Sequence, residues 1–267
     1  MTLLISWIGV DEKKEGKSIA SIYIASDSRY SWGTSKNYDY GVKVFGATNF
    51  PEIFGFSGDV LFPSNVLHQL LIQIDKGLIF SNNDNGQQKN QKVFEFISTS
   101  FKTYPKTEIS GAFNIIHGTR IGKTFYCFKT SYSKINGLTN TEIELPLISK
   151  KICSEGSGKI EFDKNYQEWE REKHNNYRTS RGVYHCLYDT LKTINDKRTG
   201  GLPQIVGLYR EKNSRLFGII ENEKKYVLGM ESSESLLSEN IEWRNENFER
   251  MNPETLRIIE GAQRQPK

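Results

Sequence analysis

The amino-acid sequence predicts an α+β fold, a four-layer αββα sandwich with a C-terminal extension. Two observations predict it. Four apolar runs of strand length come first and are followed by two segments of helical periodicity, and then by further strands, a helix and returning strands. Strands and helices therefore come in blocks and do not alternate one by one, which favours a layered sandwich over βαβ units.

The first four strands form two pairs. Residues 3–8 and 19–25 are apolar and rich in branched side chains, and the charged segment 11–17 between them contains a glycine and predicts a hairpin connection. Residues 42–45 and 52–56 predict the second pair. The chain thus begins inside a sheet, with its first residues held in place.

Two helices follow. Residues 63–75 carry apolar side chains at spacings of three and four, and residues 93–101 do the same. The segment 81–90 between them is polar and of low complexity, which predicts a loop. Three strands are predicted next, at residues 112–117, 123–128 and 147–153.

The second half of the chain begins with a long polar helix or loop from Tyr166, which leads into a helix over residues 183–195. Residues 204–209 and 216–220 predict strands that complete the sheet. After Lys224 the sequence indicates an appendage with Glu-rich helix fragments and a polar end. We therefore divide the chain into a domain over residues 1–223 and an extension over residues 224–267.

Composition restricts the class of protein. The chain has 267 residues, of which 36% are hydrophobic and 25% charged, and its formal charge of +4 is only mildly basic. The densest basic stretch, residues 171–181, is interrupted by acidic and amide residues, so a solvated face is expected there and no nucleic-acid partner. No apolar run long enough for a membrane span or a signal peptide occurs.

The cysteines and histidines indicate neither a disulfide framework nor a metal site. Three cysteines form no close-spaced pair and four histidines are scattered along the chain. We expect buried free thiols in a reducing compartment, a cytoplasmic location, and neither a metal nor a cofactor.

Chemistry is indicated first by Thr2, which follows an initial methionine. Removal of Met1 would leave an α-amine and a hydroxyl on the same residue, which together make a nucleophile and its own base. An α-amine has an ordinary pKa of about 7.7 to 8.0, so near neutral pH much of it is able to accept the hydroxyl proton. The competing interpretation is an ordinary strand start.

A charged pair is the second indication. Asp27 follows the second predicted strand, and Lys43 lies between two valines on the third. A buried ammonium is costly unless a carboxylate receives it, so Asp27 is the expected partner. A lysine cation beside the reacting hydroxyl would lower the proton affinity of the hydroxyl and of the amine. The alternative is an edge-strand lysine that faces solvent.

These residues resemble the N-terminal nucleophile (Ntn) hydrolases, and within them the threonine proteases of the proteasome β-subunit and HslV type. The resemblance lies in Thr2 at the start of the first strand, in Ala25-Ser26-Asp27-Ser28-Arg29, and in Lys43 at the family's spacing from Asp27. The distance from Thr2 to Asp27 is longer than in the family, by an insertion that coincides with the hairpin 11–17.

Three further motifs occur in the family's order. Ser57-Gly58 resembles the turn whose glycine amide forms the oxyanion hole, and Ser157 lies in a Gly-Ser-Gly segment like the one beside the terminal amine. Asp196 and Thr199 match an Asp-x-x-Ser-Gly signature, with threonine in place of serine. The resemblance implies that Gly58 stabilises the oxyanion and that the other three residues orient the amine.

The resemblance implies a proteasome-like peptidase that cleaves peptide or amide bonds through an acyl ester on Thr2. It also implies a peptide or protein substrate, a homo-oligomeric ring and an unfoldase partner that the sequence does not identify. Two alternatives stay open: a catalytically silent scaffold or interaction subunit of the same fold, and an acylase for small amides.

Overall fold

The computed structural model describes residues 2–14, 16–33, 35–109, 111–172, 176–232 and 241–262. The strands in these residues are β1 (Leu4–Lys13), β2 (Gly16–Ser26), β3 (Tyr30–Trp32), β4 (Lys36–Tyr38), β5 (Val44–Gly46), β6 (Glu52–Gly58), β7 (Phe113–Ile121), β8 (Thr124–Ser133), β9 (Gly137–Glu142), β10 (Lys150–Glu155), β11 (Gln204–Tyr209), β12 (Arg215–Glu221), β13 (Lys224–Val227), β14 (Met230–Glu231), β15 (Ile241–Arg244), β16 (Met251–Asn252) and β17 (Arg257–Ile258). The α-helices are α1 (Leu61–Asp75), α2 (Gly86–Thr103), α3 (Lys159–Glu172) and α4 (Ser180–Thr193), and a 3-10 helix covers Lys106–Glu108.

Two sheets organise this mixed α/β fold. The large sheet has the strand order β10-β1-β2-β11-β12-β13-β14, and β15 also pairs with β12. The second sheet has the order β5-β6-β7-β8-β9. All of these pairs are antiparallel except β12 with β15. Neighbours along the chain are thus mostly neighbours in the sheet, as expected for an antiparallel arrangement.

The alternation of side chains on β1 explains how the large sheet packs on both faces. Leu4 and Ile8 belong to a buried cluster that also contains Ile53 and Ile116 of the second sheet. Leu3, Ile5 and Trp7 point the other way and share a second cluster with the helices that follow β10. The helix residues of that cluster are Phe162 and Tyr166 of α3, and Val183, Tyr184, Cys186 and Leu187 of α4.

The second sheet has its own helical cover. Phe54 and Phe56 of β6 lie in a third buried cluster together with the apolar faces predicted for α1 and α2. The helix residues of that cluster are Phe62, Val66, Leu67, Leu70 and Ile74 of α1, and Val93, Ile97 and Phe101 of α2. Each predicted helical face is therefore buried against a sheet, which is the main source of its stability.

The hairpin between β1 and β2 is longer than the sequence indicates. The charged residues placed in a connection at 11–17 continue both strands, with Asp11 opposite Ser18 and Glu12 opposite Lys17. The Glu12 and Lys17 charges lie 3.9 Å apart. Opposite charges on facing residues of exposed strands favour pairing, so the charged composition did not end the strands here.

Helix α2 begins well before its predicted start, so the loop predicted for 81–90 is wrong over its last five residues. Asn85 accepts a hydrogen bond from the backbone of Gln88, and the Gln88 side chain accepts one from the backbone of Asn85. This reciprocal capping satisfies two backbone donors at the helix start. Lys89 then turns inward and donates to Glu52 at 2.6 Å.

The segment after Lys224 also differs from its prediction. In its described part the Glu-rich helix fragments are absent and short strands are present instead: β13 pairs with β12 and β14, and β15 runs parallel to β12. Helix α3 is present where the sequence indicated a polar helix or loop from Tyr166, although it begins earlier, at Lys159, and strand β9 was not predicted. The remaining predicted strands are found, several of them extended by a few residues.

None of the helices in the described residues is long and apolar enough to cross a membrane. The residues from 263 onwards, predicted to be a polar end, lie outside the described part of the chain, as does Met1.

Candidate active site

The start of β1 is fixed by side chains and loops from distant parts of the chain. The backbone nitrogen of Thr2 donates to Ser157 Oγ at 3.2 Å, and its carbonyl accepts from the nitrogen of Gly158 at 3.1 Å. The nitrogen of Leu3 donates to Asp27 Oδ1 at 2.9 Å. Thr2 is 1% exposed. The Thr2 nitrogen, which would be the α-amine of a chain that begins here, therefore already has an oriented partner.

Asp27 and Lys43 form a fully buried ion pair. Lys43 Nζ lies 2.8 Å from Asp27 Oδ1, and both side chains are 0% exposed. Asp27 Oδ2 accepts from the backbone nitrogens of Arg29 at 3.2 Å and Gly200 at 3.0 Å. The partner predicted for Lys43 is thus the one observed, and the solvent-facing lysine of the alternative interpretation is excluded. Asp27 is also hydrogen-bonded to the backbone of Leu3, the residue that follows Thr2.

Burial dominates the electrostatics of Lys43. It lowers the pKa of this lysine below its ordinary value, although the Asp27 carboxylate works in the opposite direction. Lys43 lies just before β5 and not on a strand, and its nitrogen donates to Gln204 Oε1 at 2.9 Å. Burial also raises the pKa of Tyr30, whose ring centroid is 5.8 Å from Lys43 Nζ, to about 12.

Ser157, Thr199 and Asp196 form a hydrogen-bonded chain that begins at the Thr2 nitrogen. Ser157 Oγ lies 3.4 Å from Thr199 Oγ1, which donates to Asp196 Oδ2 at 3.2 Å. Burial tends to raise the pKa of Asp196, but hydrogen bonds from Ser157 and from Arg198 outweigh it and lower the pKa. The three residues predicted to orient the amine therefore form one chain of hydroxyls that ends on a carboxylate.

Glycine is required next to this chain. Gly156 has a φ of +95°, in the left-handed region, and a Cβ on it would lie 2.1 Å from the carbonyl oxygen of Thr2. The loop can approach the start of β1 this closely only without a side chain. Gly156 thereby sets the position of Ser157 relative to Thr2.

Gly58 ends β6 with a φ of +93°. A Cβ there would lie 2.1 Å from the carbonyl oxygen of Ala112, so no other residue fits. Three residues earlier on the same strand, Gly55 packs against Leu4, and its missing Cβ would lie 3.5 Å from the Lys43 carbonyl. Strand β6 therefore runs past the buried pair towards Gly58, whose oxyanion role stays a prediction.

Three residues that support the site were not predicted from the sequence to be functional: Arg29, Asp39 and Gln204. Arg29 donates to both carboxylate oxygens of Asp39, at 2.6 and 2.8 Å, and to the Lys197 carbonyl at 3.1 Å, which ties the loop of Asp196 to the end of β2. Gln204 accepts from the Lys43 nitrogen and donates to the carbonyls of Gly41 and Leu228. The Asp27-Ser28-Arg29 motif could have identified Arg29. No motif in the sequence analysis indicates a role for Gln204 or Asp39.

Among the residues that the structure describes, no group of three or more His, Cys, Asp or Glu side chains is placed to hold a metal ion. The cysteines are free, with Cys127 and Cys186 buried.

Comparison with known proteins gives a fold and no family. No protein-family model matches the chain, and no curated protein matches it. Among solved structures, Anbu (ancestral beta-subunit) from Yersinia bercovieri is similar with a TM-score of 0.51 at 9% identity, over 80% of this chain and 86% of that one.

Two further structures fall below a TM-score of 0.5. Eukaryotic HslV from Trypanosoma brucei gives 0.48 at 10% identity, over 77% of this chain and 99% of that one. An Anbu (Gly-1) mutant from Hyphomicrobium sp. strain MC1 gives 0.48 at 13% identity, over 81% and 86%. The likeness to the Yersinia protein shows a mixed α/β fold of the proteasome-like kind, and at this identity it shows nothing about activity.

Proposed function

We propose that the chain is an N-terminal threonine amidohydrolase, a proteasome-like peptidase with Thr2 as nucleophile and an αββα arrangement of four layers. The observation that carries the proposal is the fully buried Asp27–Lys43 pair, whose carboxylate accepts from the nitrogen of Leu3, the residue after Thr2. A scaffold has no need of this costly pair, because apolar residues of similar volume would stabilise the fold at least as well. Residues 1–223 are proposed as the catalytic domain and 224–267 as its extension.

The mechanism requires that the mature chain begin at Thr2, by removal of Met1 or of whatever precedes Thr2. The free amine then takes the proton of the Thr2 hydroxyl, and the oxygen attacks the substrate carbonyl carbon. The oxyanion is stabilised by the Gly58 amide. The Thr2 ammonium returns the proton to the leaving amine, which leaves an ester on Thr2. Water, deprotonated by the same amine, then hydrolyses the ester.

The surrounding residues control protons and orientation. Ser157 Oγ is within hydrogen-bond distance of the Thr2 nitrogen, and Thr199 and Asp196 continue that chain, so we assign them to hold the amine in one orientation. Lys43, charged and held by Asp27, lowers the proton affinity of the neighbouring amine. Because burial already lowers the pKa of Lys43, its charge depends on Asp27.

The substrate class proposed is a peptide or protein, with small amides as the competing class, and the assembly proposed is a homo-oligomeric ring. Both follow from the resemblance of the motifs. An unfoldase partner is a prediction from the same resemblance, whereas a cytoplasmic location is a prediction from the unpaired cysteines in the sequence.

The experiment compares wild type with Thr2→Ala and Thr2→Ser, after intact-mass spectrometry has established that each chain begins at residue 2. Fluorogenic peptides and acylated amines are offered in parallel. We expect wild-type turnover, residual turnover in Thr2→Ser, which keeps both amine and hydroxyl, and none in Thr2→Ala. Full activity of Thr2→Ala would rule out the mechanism. A correctly processed wild type that cleaves neither substrate class would support the silent scaffold instead.

A further inference from the structure

Polar side chains join the two sheets at the end where Thr2 lies. Glu155, the last residue of β10, is opposite Leu4 of β1 in the large sheet. Its carboxylate accepts from Asn114 Nδ2 of β7 at 3.2 Å and from Lys129 Nζ of β8 at 3.0 Å. Both donors belong to the second sheet. The three side chains of Glu155, Asn114 and Lys129 therefore form an inter-sheet bridge.

The bridge has a defined arrangement of donors and acceptors. Ser131 Oγ of β8 donates to Asn114 Oδ1 at 2.7 Å, which leaves the Asn114 amide nitrogen to donate to Glu155. Burial tends to lower the pKa of Lys129, but the hydrogen bond and the charge of Glu155 outweigh it and raise the pKa. Lys129 is therefore charged at neutral pH, and each carboxylate oxygen of Glu155 receives a donor from the second sheet.

The bridge lies where apolar packing between the sheets ends. In the middle of the molecule the gap is filled by side chains such as Leu4, Ile53 and Ile116. Beyond Ile53, the residues of β6 on the same face are Gly55 and Ser57, which contribute little apolar surface. Apolar packing is non-directional, whereas hydrogen bonds fix the relative position of donor and acceptor. The alignment of the two sheets at this end therefore depends on the bridge.

Both halves of the candidate active site adjoin the bridge. Asn114 is opposite Ser57 in the ladder of β6 and β7, and the next residue of β6 is Gly58. On the large sheet, Glu155 is two residues before Ser157, whose hydroxyl is within hydrogen-bond distance of the proposed amine. The bridge thus connects the strand that carries Gly58 to the loop that carries Ser157.

We propose that Glu155 and Asn114, supported by Lys129, are positioning residues that hold the proposed oxyanion donor at a fixed distance from the nucleophile. The inference rests on the proposed function, because it assigns the bridge to the geometry of the same site. Acyl transfer needs the nucleophile and the oxyanion donor in one productive geometry, and a displacement of about 1 Å can lower the rate roughly a hundredfold. The bridge residues act through Gly58 and Ser157 and take no part in the bond-making steps.

An exchange of donor and acceptor tests the bridge. Asn114→Asp places a second carboxylate against Glu155, whereas the double variant Asn114→Asp/Glu155→Gln restores the hydrogen bond in the opposite direction at the wild-type charge. We expect kcat to fall about tenfold or more in the single variant, with KM changed less than about threefold, and to recover in the double variant to within about threefold of wild type.

Gln91→Glu is the matched control. At an exposed position of α2 it changes the charge equally and also replaces an amide that donates to a glutamate, Glu95, at 2.9 Å. It should leave kcat and KM unchanged, because α2 covers the other face of the second sheet.

Hydrogen exchange monitors the same positions without turnover. The amide of Gly158 donates to the Thr2 carbonyl, and the amide of Asp59 donates in the turn after β6, each at 3.1 Å. We expect both amides to exchange about tenfold faster in Asn114→Asp and to recover in the double variant. The amide of Ala47, which is hydrogen-bonded at the other end of β6, should be unchanged.

The outcomes separate the bridge from the proposed function. An unchanged kcat in Asn114→Asp, an equal loss in Gln91→Glu or no recovery in the double variant would overturn the proposal, as would an equal acceleration at Ala47, which indicates a general loss of stability. If the wild type turns over neither substrate class, the proposed function fails, and the exchange rates alone decide whether the bridge holds its two neighbours. If Asn114→Asp does not fold, Asn114→Ala removes the same hydrogen bond without added charge and is measured in the same way.

Discussion

Replacing Lys43 by methionine tests the buried pair on which the proposed site rests. Methionine keeps much of the apolar stem and removes the ammonium, which leaves the Asp27 carboxylate without its cation at 0% exposure. Breaking a buried pair from one side costs about 3 to 5 kcal/mol. Asp27 keeps backbone donors on Leu3, Arg29 and Gly200, at 2.9, 3.2 and 3.0 Å. We therefore expect a loss near the lower limit, about 3 kcal/mol.

Urea denaturation followed by tryptophan fluorescence measures this loss, because Trp7 is fully buried on β1, which pairs with β2 beside Asp27. The matched control is Lys224→Met, which breaks a pair with Glu231 at a similar 2.9 Å, with side chains 56% and 54% exposed. That control should show no measurable change. The double variant Asp27→Asn/Lys43→Met should lose less than the sum of the single losses. A loss below about 1 kcal/mol in Lys43→Met, as for an exposed pair, would refute the reasoning.

Three other predictions concern the residues around Thr2. Gly156→Ala places a methyl 2.1 Å from the carbonyl oxygen of Thr2, at a position whose backbone is left-handed. We therefore expect turnover to fall at least tenfold and the free energy of unfolding to fall by about 1 to 3 kcal/mol. Unchanged kinetics and unfolding would show that the close approach is unimportant. The value of kcat/KM should rise with pH as the Thr2 amine loses its proton and level off at or below about pH 8, because Lys43 lowers the proton affinity of the amine. A kcat/KM that falls as the pH approaches 8 would contradict the amine as base. Hydrogen bonds lower the pKa of Asp196, so its stabilising contribution is present above about pH 4 and is lost as the pH falls through its folded value. The difference in unfolding free energy between wild type and Asp196→Asn should therefore shrink below that pH, and a constant difference would contradict the assignment.

The parts of the site that depend on local chemistry could be predicted from the sequence. Lys43 lies between two valines, and because a buried ammonium is costly without a carboxylate, the sequence predicts a buried partner for it. The apolar spacing likewise predicted the buried faces of α1 and α2. The lysine between valines and the apolar spacing of the helices are both local signals. Burying a charge or exposing an apolar face costs free energy whichever tertiary contacts form.

The parts that the sequence did not predict depend on contacts between distant residues. Gln204 is an ordinary neutral side chain, and only the folded chain brings it to the Lys43 backbone. The start of α2 carried a readable signature in Asn85 and Gln88, but the polar composition around it favoured a loop. Strands β13 and β14 are short, charged and partly exposed, so neither alternation nor length distinguished them from an appendage.

The three hydrogen bonds of Gln204 have a practical consequence for anyone who shortens this protein. Its amide nitrogen donates to the carbonyl of Leu228 at 3.0 Å, while its oxygen receives the backbone nitrogen of Lys43. Gly229, the next residue, leaves room for Ser28 only because it has no Cβ. A chain cut at residue 223 would therefore lose support directly beside Asp27 and Lys43, together with β15, which pairs with β12, and Phe248, which packs in the buried cluster of Leu3, Ile5 and Trp7.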